Sequence, residues 1–221
     1  MPALIDTRQL HMTLVAVSIE KSFENEIFSA FLEEMGTQAK KYFAQSPLLT
    51  LSGIGHFDER VIYLKPEKGD LLDRLYDFAL DLKAFFSRFP GSSVEDMVFR
   101  PHVTILKLSK LPEGSKKLIK NVSKDVWFEH RDIKCGTQRI SRVELNAMRI
   151  DRTTGRYYCE RCMSTSSNKA MAPAPVTSME RGDVVGMNHE TTEVLIGDKG
   201  VTADRKGKRR GRLQQNYMPP S

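Results

Sequence analysis

His11-Met12-Thr13-Leu14-Val15 and His102-Val103-Thr104-Ile105-Leu106 are two copies of one short pattern, H-x-T followed by aliphatic residues. Each sits in a longer run, Leu10 to Ile19 and His102 to Leu108, whose β-branched and aliphatic content reads as a strand. Successive side chains of a strand alternate faces at about 3.3 Å per residue, so a histidine and a threonine two positions apart project to the same side. Each copy therefore predicts an imidazole and a hydroxyl together on one face. Met12, Leu14, Val103 and Ile105 fall on the other face, where amphipathic helices are expected to cover them.

Those helices can be read from spacing. Phe23, Ile27, Phe31 and Met35, with Phe28 and Leu32 beside them, recur at helical intervals, and Leu71, Leu72, Leu75, Phe78, Ala79, Leu82, Phe85 and Phe86 give a second helix a continuous stripe that Pro90 and Gly91 end. Leu48 to Ile54 and Arg60 to Lys65 read as a strand pair, and Arg142 to Ile150 with Arg156 to Cys162 as another, joined by DRTTG, whose Gly155 suits a turn position with positive φ. A lysine-rich connection, GSKKLIKNVSKDV, separates the second H-x-T copy from this last pair. The order strand, helix, strands, helix, strand, hairpin has no regular βαβ period, so the fold class expected is α+β.

The chain has 221 residues, 40% of them hydrophobic and 28% charged, with a net charge of +6. No run approaches the ~18 apolar residues of a membrane span, and MPALIDTRQL lacks the basic start and apolar stretch of a signal peptide. Three cysteines are too few for a disulfide framework. An intracellular protein of nucleus or cytoplasm, with no membrane partner, is the expectation. From Ser164 onward nine basic residues face six acidic ones, Tyr217 is the one aromatic, and prolines stand at 173, 175, 219 and 220. Such a composition cannot offset the entropy of ordering, so residues 164–221 are expected to be a disordered polar tail behind a domain of residues 1–163.

Two imidazoles and two threonine hydroxyls in one groove suit phosphodiester cleavage. One neutral imidazole takes the proton of an attacking hydroxyl, the other, protonated, gives one to the leaving oxygen, and the hydroxyls donate to the non-bridging phosphoryl oxygens. Histidine as a residue type serves both roles because it ordinarily titrates near pH 6.5. The plain alternative is a pair of strand histidines satisfied by local hydrogen bonds. A second H-x-T in a second strand context weighs against it.

The paired HMT and HVT motifs resemble the signature of the 2H phosphoesterase superfamily. The block Gly53-Ile54-Gly55-His56-Phe57, the run Phe99-Arg100-Pro101-His102-Val103-Thr104 continuing into Lys107-Leu108-Ser109-Lys110, and the strands around Arg142-Val143-Glu144-Leu145 and Tyr157-Tyr158-Cys159-Glu160 resemble, within it, the phosphoesterase-like domains of the A-kinase anchor protein 7 type. The resemblance covers about Leu10 to Met163. It implies a bilobal, duplicated LigT-like fold, a metal-independent groove without cofactor, His11, Thr13, His102 and Thr104 as catalytic residues, and an adenine nucleotide or 2′,5′-linked oligonucleotide as ligand. By resemblance alone it also implies a protein kinase A regulatory subunit as a partner. In that family a strand and a helix precede the first H-x-T, so the first lobe is expected to lack its leading strand and helix and to expose an edge.

The remaining signals are weaker. Arg100 shares strand parity with His102 and Thr104 and is a candidate contact to a second phosphate, while Lys107 has the opposite parity. Cys159-x-x-Cys162 has the spacing of half a zinc site without a second pair, so no metal is expected. Lys206, Lys208, Arg209, Arg210 and Arg212 form a compact basic cluster, read as a nuclear localisation signal or a nucleic-acid patch, with plain solvated charge as the alternative.

Overall fold

Met12–Ile19 folds as the first strand, β1, and turns Met12, Leu14, Val15, Val17 and Ile19 into the core. The apolar stripe after it makes a longer helical stretch than its periodicity implies: Glu24–Ala30 (α1), a π-helical turn at Phe31–Met35, and Gly36–Tyr42 (α2). Leu48–Phe57 (β2) and Val61–Pro66 (β3) form the hairpin. Asp70–Phe86 (α3) follows, with Asp70 and Asp73 in its first turn and Lys83 in its last, charges that complement the helix dipole. Beyond it run Ser92–Val94 (β4), Val103–Lys107 (β5), the short Glu113–Leu118 helix (α4) inside the lysine-rich connection, Lys134–Arg139 (β6), Arg142–Ile150 (β7), Tyr157–Ser164 (β8) and Glu190–Gly197 (β9). The structure, a computed structural model, describes residues 3–165 and the strand β9.

The molecule is α+β, with two antiparallel sheets in the orders β4-β1-β9-β7-β8 and β5-β3-β2-β6. Helices α1 to α3 cover one face of the five-stranded sheet. Their side chains Ile27, Phe31, Leu75, Phe78, Leu82 and Phe86 interlock with Met12, Val17, Val143 and Leu145 from the strands. Phe31, Phe43, Phe78 and Phe86 are almost wholly buried, and each such side chain contributes roughly 1.5–3 kcal/mol by leaving water. Phe31 and Phe86 also stack, with ring centroids 5.9 Å apart. A smaller core of Ile62, Leu106, Leu108, Leu111, Val122 and Trp127 backs the four-stranded sheet. β1 and β5, the two strands of the H-x-T repeat, approach one another where the sheets meet.

The structure differs from the sequence reading in three places. Residues 190–197, expected within a disordered tail, form β9 in the middle of the five-stranded sheet, hydrogen-bonded to β1 on one side and β7 on the other. Thr191, Thr192, Val194 and Ile196 suit a strand, a local signal that vanishes when composition is averaged over residues 164–221. Second, β1 has no bare edge: β4 and β9 flank it, while residues 3–5 pair with β5 through Ile5 N to Ile105 O at 3.0 Å and Lys107 N to Ala3 O at 2.9 Å. Third, Val103 packs on the main core but Ile105 packs on the smaller one around Trp127 rather than under an amphipathic helix.

Candidate functional site

His11 stands one residue before β1 and His102 one residue before β5, at the mouth of each strand. The Nδ1 atom of His11 lies 2.6 Å from the Gln9 carbonyl oxygen, and that of His102 lies 2.5 Å from the Arg100 carbonyl oxygen. A carbonyl oxygen only accepts, so in both rings Nδ1 carries the proton and donates it, which makes Nε2 the nitrogen that gains or loses one. Both copies thus tether the imidazole to the carbonyl two residues upstream.

The repeat extends past the side chains into the backbone. Thr13 pairs with Leu195 and Val15 with Val194, so Leu14 is an extra residue in β1. Thr104 pairs with Tyr63 and Leu106 with Ile62, so Ile105 is an extra residue in β5. Each threonine is thus followed at once by a β-bulge, a distortion that re-aims neighbouring side chains and is common beside active sites. Periodicity alone cannot show these bulges.

Each imidazole also meets an aromatic ring edge. His11 and Tyr157 lie 5.1 Å apart at 88°. His102 packs against Phe57 at 4.9 Å and Tyr63 at 5.2 Å, and those two rings stack on each other at 4.4 Å. Gly55 permits this cluster: it faces Tyr63 across the β2–β3 ladder, and a Cβ there would come within 2.6 Å of the Tyr63 ring. A glycine inside a strand often marks such a close approach, and that was the signal in the sequence for Tyr63, which motif reasoning did not single out.

Gln9 and Tyr157 were likewise missed. Gln9 Nε2 donates to the Gly155 carbonyl at 3.1 Å, so the residue whose carbonyl orients His11 is itself tied to the turn between β7 and β8. Gly155 has φ of 70°, the positive value that the DRTTG turn calls for. Arg8 beside it pairs with Asp6 at 2.6 Å, and that guanidinium holds the Asp6 carboxyl down to a pKa of about 2.

Thr13, Leu195, Glu144 and Cys162 occupy one row across the five-stranded sheet, so Glu144 belongs to the same face as Thr13. Arg142 Nε and Glu144 Oε1 form an ion pair at 2.8 Å, both side chains under one fifth exposed, and Asn146 Nδ2 donates to Glu144 Oε2 at 3.0 Å. β7 thus alternates Arg142, Glu144 and Asn146 on this face with Val143, Leu145 and Ala147 buried on the other.

Other predicted residues separate. Arg100 is exposed, and its backbone carbonyl rather than its side chain reaches His102; the preceding Phe99 anchors the segment by packing edge-on against Tyr76 at 5.1 Å. Lys107 is exposed, and because it pairs with Val61 while Thr104 pairs with Tyr63, the bulge at Ile105 returns it to the face of Thr104, which simple alternation along the strand did not predict. Cys159 and Cys162 share β8 while Cys135 lies on β6 in the other sheet, and a hydrogen bond with Cys162 raises the Cys159 thiol well above the ordinary range. Among the described residues no group of three or more His, Cys, Asp or Glu side chains is arranged to hold a metal ion. A surface depression lined by Thr50, Glu67, Lys68 and Gly69 includes neither histidine. Lys206, Lys208, Arg209, Arg210 and Arg212 lie outside the described residues. No helix among the described residues is long and apolar enough to cross a membrane.

Two H-x-T segments, each leading into a strand of an α+β framework, are the features of a 2H phosphoesterase-like domain. The family model described as the AKAP7 2'5' RNA ligase-like domain matches residues 1–164, and the chain belongs to that family. The human A-kinase anchor protein 7 isoform gamma is 26% identical over 160 residues, which are 72% of this chain and 46% of that protein. The chain therefore spans about half the length of this curated relative.

Proposed function

We propose that the chain is a metal-independent phosphodiesterase of the 2H type, built from two related lobes and acting on a nucleotide or short RNA linkage, with 2′,5′-oligoadenylate as its substrate. The observation that carries this reading is the repetition at His11 and His102: the same Nδ1–carbonyl bond, a threonine two residues on, and a bulge immediately after it. One such site has an ordinary structural explanation. Two of them on strands that approach each other fit a paired acid and base.

In a 2′,5′ linkage the free 3′-hydroxyl neighbours the phosphorus. One imidazole removes its proton, the 3′-oxygen attacks in line, and the bond to the 5′-oxygen breaks as the other imidazole protonates it. The products are a 2′,3′-cyclic phosphate and a 5′-hydroxyl. Thr13 and Thr104 donate to the phosphoryl oxygens as charge builds there. Phe57 and Tyr63 beside His102 form a surface on which an adenine can stack. Arg100, exposed just upstream, is available to a further phosphate. The basic cluster at 206–212 serves as a nuclear address for a protein that works in the nucleus or cytoplasm.

A second reading is an adenine-nucleotide binder that cleaves nothing and anchors or scaffolds protein kinase A through its regulatory subunit; the relative's name, A-kinase anchor protein, supports its anchoring part alone. Incubating the full chain with 2′,5′-triadenylate and resolving the products by chromatography separates the two. Cyclic-phosphate and 5′-hydroxyl fragments are the expected outcome. Saturable binding with intact triadenylate after prolonged incubation would overturn the phosphodiesterase reading in favour of a nucleotide binder.

A further inference from the structure

β9 is the last of the described elements yet lies at the centre of a sheet whose other four strands all lie within residues 12–164. No ladder joins β1 to β7 directly. β9 is paired with β1 from Met12–Ile196 to Ile19–Glu190, and with β7 from Arg142–Gly197 to Ala147–Thr192. Among the described residues, the half of the sheet that carries Thr13 and the half that carries Arg142 and Glu144 are therefore bridged, strand to strand, by Glu190–Gly197. Its register also coincides with the site. Leu195 sits in the row between Thr13 and Glu144, and the bulge at Leu14 is defined by the step from Leu195 to Val194.

We infer that the gap between β1 and β7 is a strand-binding slot, filled by this chain's own distal segment Glu190–Gly197, and that seating this segment sets the His11–Thr13 strand against the β7 face of the groove. Both walls of the slot are strand edges, each offering a row of backbone donors and acceptors that an extended segment can satisfy. The helices that bury the opposite face of β1 come from residues 24–86, outside the segment. Leaving the slot therefore breaks two backbone ladders without removing any helix from the main core. That defines a separable unit, one that opens below the cost of global unfolding. The segment is a positioning element: it acts on His11 and Thr13 through β1 and not on a substrate.

The test uses the full chain and needs neither substrate nor turnover, so it stands apart from the phosphodiesterase reading. Val194→Pro removes an N–H from the centre of the two ladders, and amide hydrogen exchange is followed by mass spectrometry in that variant and in the unaltered protein. The expected result is exchange about 100-fold faster in β1 (Met12–Ile19) and β7 (Arg142–Ile150), with protection of α3 (Asp70–Phe86) and of the β2–β3 hairpin retained. A synthetic peptide spanning residues 187–200, added in excess to the variant, should restore protection of β1 and β7. Unchanged exchange in β1 and β7 would overturn the inference. So would an equal loss of protection in α3 and the β2–β3 hairpin that the peptide does not restore, because β9 would then be an ordinary core strand rather than the occupant of a slot.

Discussion

A carbonyl oxygen two residues upstream settles the tautomer of both His11 and His102, and it does so with backbone that any sequence could supply. The H-x-T spacing is therefore visible in the sequence, while the orientation it produces is not. The aromatic surroundings were hidden for a related reason. Tyr63 reaches His102 because the β2–β3 register is shifted between Leu51 and Ile54, which sets Gly55 opposite Tyr63, and no single-strand pattern reveals a register across a hairpin. If an adenine stacks on this cluster, Tyr63→Ala should weaken adenine-nucleotide binding by roughly 5- to 150-fold, the equivalent of about 1–3 kcal/mol per stacked base. Calorimetric titration with AMP reads this directly. Equal affinities for the variant and the unaltered protein would remove the cluster from the binding site.

At the scale of elements, alternation predicted β7 and β8 well because one face of each is polar. It did not predict that Arg142 and Glu144 would be paired with so little exposure. A carboxylate in that setting holds its partner's charge as well as its own, so Glu144→Ala strands the Arg142 guanidinium and should cost on the order of 3 kcal/mol, read as a fall in denaturation midpoint. A midpoint within error of the unaltered protein would mean that the pair is solvated. β8 carries a second consequence. The Cys159 thiol is raised by its hydrogen bond with Cys162, and since the thiolate is the reactive form, less of it is present at any given pH below its titration. Cys159 should accordingly be alkylated by iodoacetamide at pH 8 more slowly than free cysteine, as followed by peptide mass mapping. Faster modification would point to an activated thiol. β4 and β6 escaped sequence reading because each is an edge strand held by pairing with one neighbour rather than by an apolar pattern of its own, as the exposed, glycine-containing Lys134–Arg139 segment illustrates.

For the molecule as a whole, fold class and family follow from the two H-x-T strands and the two apolar helical stripes, and the chain's match over residues 1–164 agrees with them. The distal residues resisted reading because averaged composition conceals an eight-residue strand inside a polar stretch. The basic cluster beyond that strand carries the proposed nuclear address: replacing Lys208, Arg209 and Arg210 with alanine should move a fluorescent fusion of the full chain from nucleus to cytoplasm while leaving cleavage unchanged. An unaltered distribution would leave those charges without an addressing role. The central claim is that His11 and His102 work as one acid–base pair without a metal. Its most direct measurement is the single-turnover cleavage rate of 2′,5′-triadenylate in EDTA for the full chain, His11→Ala, His102→Ala and the double variant. The account predicts cleavage by the unaltered chain, a loss of roughly 10²- to 10⁴-fold in each single variant, and little further loss in the double, since the two groups act as a unit. Full turnover by either single variant, or cleavage that EDTA abolishes and zinc restores, would contradict it.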